Sequence, residues 1–207
     1  GILYETGPQK FDSVQSAGAA RLATLAAEQG IDRFIQISAI GADAGSASAY
    51  ARSKAEGEAA ILAACPQAHV LRPSIVVGPE DDFFNRFARM AQIAPALPLV
   101  GGGLTRYQPV GVFDVAQAVA ACLDGAPSGI YELGGPQIYT FRELMELMLD
   151  KIGKRRLLVP LPFAAAGMLA QFTRFLPAPP LTPAVPGDAA RLSGAAPRRR
   201  RRRWAAA

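Results

Sequence analysis

The alternation of short apolar runs with helix-period segments constrains this chain most. Phe11, Val14, Gly18, Leu22 and Leu25 recur at three-to-four spacing, and Gly30 follows as a stop. Phe34-Ile35-Gln36-Ile37-Ser38 then reads as a short buried strand. A small-residue loop over 39–47 leads to a helix over about 48–64. Val70-Leu71-Arg72-Pro73 and Ile75-Val76-Val77 read together as one more strand, ending at Gly78-Pro79. Strands separated by helices of this length pair in parallel through right-handed crossovers. The fold class expected is α/β, a Rossmann-type doubly wound parallel sheet. Gly1-Ile2-Leu3-Tyr4 reads as the end of a buried strand, so the N-terminal strands of that sheet are expected upstream of Gly1.

After Pro79 the rhythm changes. Phe83, Phe84, Phe87, Met90 and Ala94 predict a helix, and strand-like pieces follow near 97–100 and 107–110. A helix through Val115, Ala118, Val119 and Cys122, a strand at 130–133 and a helix from Phe141 to Ile152 complete a small mixed α/β lobe. The expected organisation is 1–79 as the C-terminal half of a Rossmann domain, 80–176 as the small lobe, and 177–207 as a disordered tail. Residues 163–176 are apolar on nearly every face and too few to span a bilayer, which leaves a buried helix or a docking face for a partner or membrane surface.

Composition supports a globular body: of 207 residues, 50% are hydrophobic and 19% charged. The net charge of +5 misleads, because Arg198 to Arg203 contribute +6 and leave −1 for the rest. Nucleic-acid or anionic-lipid binding would therefore rest on the tail and not on the body. Cys65 and Cys122 lie in apolar stretches without ligand-spaced partners, so free thiols are expected and no metal site. The lone His69 opens an apolar strand, where a structural role is expected. No signal-peptide pattern opens the chain, and no apolar run is long enough to span a membrane.

Chemistry concentrates in Tyr50-Ala51-Arg52-Ser53-Lys54. Residues four apart share a helix face, and an ammonium beside a phenol favours the phenolate. Such a tyrosine exchanges a proton with a carbonyl or alcohol during hydride transfer. Ser38 ends the preceding strand at the carboxyl edge, where parallel sheets bind ligands, and would orient the reacting oxygen. Gly101-Gly102-Gly103 precedes no helix and reads as a turn, not as a phosphate cradle.

The Tyr-x-x-x-Lys pair, the serine-ended strand and the following Arg72-Pro73-Ser74-Ile75-Val76-Val77-Gly78-Pro79 resemble the extended and atypical short-chain dehydrogenase/reductases, the NAD-dependent epimerase/dehydratase-like family. Tyr4-Glu5-Thr6-Gly7-Pro8, residues 37–43, Gly78-Pro79-Glu80-Asp81-Asp82-Phe83-Phe84-Asn85-Arg86-Phe87 and Glu132-Leu133-Gly134-Gly135-Pro136 look like one subgroup of it. That subgroup is the nucleotide-binding accessory subunit of respiratory NADH:ubiquinone oxidoreductase (complex I) and its bacterial relatives. The resemblance covers about residues 1 to 183.

It implies a bound NADP(H) or NAD(H), held structurally or for assembly, with respiratory complex I subunits as partners. It further implies a cytoplasmic protein, at the cytoplasmic face of the inner membrane, with peripheral membrane association. Carried onto this sequence, Ser38, Tyr50 and Lys54 are the catalytic candidates. With them, Gly1, Ile2, Pro73, Ser74 and Ile75 would flank the cofactor. Phe84, Asn85 and Arg106 are substrate-side candidates from position alone. Two departures stand out. The glycine-rich turn that receives the pyrophosphate at a helix N-terminus does not occur in this sequence, so dinucleotide binding is expected to be impaired. Residues 184–207 leave the family pattern for an arginine-rich tail. The alternative activity is an NAD(P)-dependent oxidoreductase or epimerase using a Ser-Tyr-Lys relay.

Overall fold

A computed structural model describes residues 1–162; the apolar 163–176 segment and the arginine-rich tail lie outside the described residues. In chain order the elements are α1 (Gly18–Glu28), β1 (Ile35–Ile37), α2 (Ala49–Ala64), β2 (His69–Pro73), β3 (Val76–Val77), α3 (Asp82–Ile93), β4 (Ala96–Val100), β5 (Arg106–Tyr107), β6 (Val110–Gly111), α4 (Val112–Leu123), β7 (Gly129–Leu133), β8 (Tyr139–Thr140), α5 (Phe141–Lys151) and β9 (Leu157–Leu161). They fall into two units. Among the described residues, one holds 1–74 and 113–134, and the other holds 75–112 and 135–162.

The first unit is built on a parallel sheet in the order β1-β2-β7. Ile35 to Ile37 pair with His69 to Leu71, and His69 to Pro73 pair with Gly129 to Leu133. Val70 and Leu71 are fully buried on the central strand, as a strand covered on both faces requires. The sheet is thus Rossmann-like, as the alternation of elements requires.

Three local expectations are corrected. Gly1–Tyr4 forms no strand; Leu3 is 61% exposed, and the Ile2 carbonyl accepts a hydrogen bond from the Gln15 side chain instead of a neighbouring strand. The inward face of the first helix is also not the one its large apolar residues mark. Phe11, Gln15, Ala19, Ala23 and Ala26 are buried, whereas Leu22 and Leu25 are 63% and 49% exposed. One cause is the π-helical turn Asp12–Ala17 ahead of α1, which shifts the phase of the helix. The other is close packing. A Cβ at Gly57 of α2 would stand 2.2 Å from the Gln15 carbonyl oxygen, so only small side chains fit between the two helices. Ala19 and Ala23 with Ile61 and Ala68 form the core there.

The third correction concerns the strand expected over 70–77, which is two. The Ser74 N–H donates to the Leu133 carbonyl as the last bond of the first sheet, and Val76–Val77 then pairs in parallel with β6 in the second unit. The chain therefore changes unit at Ile75 and not at Pro79, and residues 113–134 return to the first unit.

The second unit is mixed. Its β4 pairs in parallel with β9, and β5 pairs antiparallel with β8. Its core is aromatic: Phe83, Phe87, Tyr107 and Phe141 meet at ring-centroid distances of 5.4 to 6.4 Å around buried Leu97, Leu99, Leu144 and Met145. Gly101–Gly103, read as a turn, is a tight turn with positive φ at all three residues, a conformation that only glycine adopts at little cost.

Candidate dinucleotide site

Helix α2 begins at Ser48, whose hydroxyl accepts the Ala51 N–H. That start places Tyr50 and Lys54 on one helical face, a turn apart. The Tyr50 ring is met edge-on by Phe11 at 5.8 Å, and the Lys54 ammonium lies over it, 5.9 Å from its centroid. The same Nζ packs against the chain at Gly1, where an added Cβ would stand 3.1 Å from it and 3.6 Å from Gln15 Oε1. Gln15 Nε2 donates to the Ile2 carbonyl at 2.9 Å, while its buried Oε1 has no hydrogen-bond partner.

The structure thus brings Gly1, Ile2, Tyr50 and Lys54 together, all four flagged by the sequence. It adds Gln15, which the sequence reading missed. The available signal was a polar residue four positions after Phe11 and four before Ala19, in phase with the buried face.

Burial dominates the electrostatics here. It pushes the Tyr50 phenol above its ordinary value and pulls the Lys54 ammonium down, with the Glu58 carboxylate opposing the latter. The expected depression of the tyrosine by its lysine is therefore not the resting state of this site. The ammonium lies over the ring, and burial outweighs its attraction for a phenolate.

Ser38 is also buried, and its hydroxyl donates to Glu58. The same carboxylate accepts from Arg72 Nε at 3.0 and 3.2 Å and from Arg72 Nη2 at 2.5 Å. The Glu58 side chain is 4% exposed. Its hydrogen bond holds the Arg72 guanidinium more firmly protonated still. Neither Glu58 nor this use of Ser38 was read from the sequence.

Pro73 and Ser74 close the end of β2: the Pro73 carbonyl accepts from Ile40 at 3.1 Å and the Ser74 N–H reaches Leu133 at 2.8 Å. Ile75, Phe84, Asn85 and Arg106 belong to the second unit. The Ile75 carbonyl accepts from Val110, and the residue packs on the aromatic core. The Phe84 N–H is capped by Asp81 Oδ1 at 2.6 Å. Asn85 spends its amide on the carbonyls of Pro79 and Asp81, at 2.9 and 2.8 Å. Arg106 is exposed on β5 opposite Thr140. The distinctive run from Gly78 to Asn85 is thus the start of a helix: Asp81 caps it, Asn85 ties the cap down, and at Gly78 a Cβ would come within 2.8 Å of Val112.

His69 lies buried at the start of β2 with Nε2 on the Ala126 carbonyl, and Cys65 and Cys122 are free thiols. Among the described residues no cluster could hold a metal ion, and no helix is long and apolar enough to cross a membrane.

A parallel sheet with its crossover helices and a Tyr-Lys pair opening the helix after a serine-ended strand define an α/β nucleotide-binding class of fold. The chain belongs to the RmlD substrate binding domain family, whose model matches residues 41–173. It is 42% identical over 174 residues, 82% of this chain and 43% of the relative, to the mitochondrial NADH dehydrogenase [ubiquinone] 1 alpha subcomplex subunit 9 of Arabidopsis thaliana. It is 32% identical over 164 residues, 78% of this chain and 51% of the relative, to the ceramide reductase of Caulobacter vibrioides. The chain spans about half the length of these curated relatives. Among solved structures, the dTDP-glucose 4,6-dehydratase DesIV of Streptomyces venezuelae, crystallised with NAD, superposes with a TM-score of 0.65 over 73% of this chain and 54% of its own at 24% identity, which shows the fold.

Proposed function

We propose that this protein binds NADP(H) or NAD(H) as an accessory subunit of the respiratory complex I type, with the dinucleotide held for structure or assembly and not turned over. The observation that carries this reading is the grouping of Gly1, Ile2, Gln15, Tyr50 and Lys54. It fits a nicotinamide ribose: a buried amide oxygen without a partner, an ammonium and a phenol converge where the backbone carries no side chain. When bound, the dinucleotide would supply hydride chemistry. Lys54 would donate to the ribose hydroxyls, Gln15 Oε1 would accept from one, and Pro73 and Ser74 would flank the ring through backbone.

The Arabidopsis relative, by name a subunit of mitochondrial NADH dehydrogenase, supports complex I subunits as partners, and the reading places this protein with them at the cytoplasmic face of the inner membrane. No glycine-rich turn between strand and helix occurs in these residues, and the expectation is that they bind a dinucleotide pyrophosphate weakly by themselves.

The test is a titration of the full-length protein with NADPH, followed by nicotinamide fluorescence. Lys54→Met should weaken binding by about tenfold or more. Equal affinity in the variant would remove Lys54 from the site. The second reading is an active reductase or epimerase using Ser38, Tyr50 and Lys54. The intact Tyr50–Lys54 pair and the ceramide reductase relative favour it. Bound NADPH oxidised by a carbonyl substrate in the wild type, and not in Tyr50→Phe, would establish that reading over the first.

A further inference from the structure

We infer that Glu58 is a positioning residue. It accepts the one hydrogen bond that the Ser38 hydroxyl can donate, within a Ser38–Glu58–Arg72 cluster, and it anchors the stretch of α2 that presents Tyr50 and Lys54. This inference rests on the dinucleotide reading for what Tyr50 and Lys54 hold, and on geometry alone for the cluster.

Three elements meet at the Glu58 carboxylate: Ser38 from the end of β1, Glu58 from the middle of α2, and Arg72 from β2. Ser38 is 5% exposed and Glu58 3%. A serine hydroxyl has one proton to give. To orient a substrate oxygen, Ser38 would have to withdraw that proton from a buried carboxylate. The loss would leave a carboxylate whose side chain is 4% exposed short of a donor, which is costly. The bidentate Arg72 holds the carboxylate in its plane, so Glu58 cannot turn to release Ser38.

Glu58 lies one turn beyond Lys54, as Lys54 lies one turn beyond Tyr50. Fixing Glu58 between β1 and β2 therefore fixes the rotation of α2 about its axis, and with it the direction of both site residues. The Glu58 charge also favours the ammonium form of Lys54 against burial. A site built this way grips the cofactor but offers a bound carbonyl no serine donor, which gives the holding role a structural cause.

The experiment measures NADPH affinity and thermal midpoint of the full-length protein for Ser38→Ala, Glu58→Gln, and Glu58→Gln combined with Arg72→Met. Ser38→Ala should lower the midpoint and leave affinity within about twofold of wild type. Glu58→Gln should lower the midpoint further and weaken NADPH by about tenfold. Adding Arg72→Met removes the unpaired guanidinium. It should recover much of the midpoint and none of the affinity, a split that a merely stabilising role would not give.

Ser38→Ala that loses affinity as Lys54→Met does, with an unchanged midpoint, would overturn the inference by placing Ser38 on the ligand. Recovery of affinity together with midpoint in the double variant would overturn the positioning role. A wild type that binds no NADPH would overturn the dinucleotide reading instead. The Ser38→Ala midpoint would then still decide the cluster, an unchanged value refuting it.

Discussion

The first unit brings α1 and α2 together through Ala19, Ala23 and Gly57 and buries a serine and a carboxylate in contact with a partly buried guanidinium. The second packs α3 against α5 through Phe83, Phe87 and Phe141 and, among the described residues, buries no ion pair. The difference has a physical logic. Small residues let two backbones approach until main-chain groups and short polar side chains meet, which positions chemistry but buries little apolar area per residue. Large rings bury 150–250 Å² each by the usual measure, about the most a side chain offers, and supply cohesion without fixing a polar geometry.

That contrast can be broken most severely in the aromatic core. Phe141→Ala removes a ring in contact with Phe83, Phe87 and Tyr107 and should cost about 3–5 kcal/mol in denaturant unfolding while leaving the Tyr50–Lys54 grouping unchanged. Loss of NADPH affinity in conditions where Phe141→Ala remains folded would deny the division of labour.

The reverse test adds a single methyl group. Gly57→Ala forces α1 off α2 and should cost about 1–3 kcal/mol. Because Gln15 sits at that contact, it should also weaken NADPH binding, whereas Phe141→Ala should not. A stable Gly57→Ala protein with full affinity would show that the close approach does not place the site.

Alkaline pH separates the units as well. Burial raises the Tyr107 phenol from 10.0 to about 12. The folded state prefers the protonated phenol, so its contribution is fully present below pH 10 and is lost as pH rises through about 12. Unfolding midpoints measured across that range should fall, and Tyr107→Phe should flatten the fall. Tyr50, raised in the same sense, should leave a smaller residual slope.

The smallest effect expected is at the capping box of α5. There Thr140 accepts the Glu143 N–H and Glu143 accepts the Thr140 N–H. Thr140→Ala should cost about 1 kcal/mol. The Glu143 carboxyl is held low by the backbone and side-chain hydrogen bonds of Thr140, so its contribution is present at neutral pH and is lost as pH falls through its folded value.

These comparisons also explain what the sequence could and could not disclose. Tyr50 and Lys54 were legible because their relation is local: four residues on a helix share a face wherever the helix lies. The parallel strands around Ile35 and Val70 were legible from apolar runs alone. The inward face of α1 was not, because Leu22 and Leu25 outweigh Ala19 and Ala23 in any apolar count. The proximity that excludes them comes from Gly57, far along the chain. Glu58 was not legible either. Its partners lie 20 residues before it and 14 after it, and nothing in a charged helical position announces that a sheet will close over it. Asn85 is the opposite case, a polar residue in a distinctive run whose amide N–H groups serve its own helix start.

The most direct test of the central claim is to purify the full-length protein without added nucleotide, unfold it, and quantify what it releases. The account predicts a stoichiometric NADP(H) or NAD(H) from the wild type and markedly less from Lys54→Met. Release of no dinucleotide from either protein, or equal release from both, would contradict it.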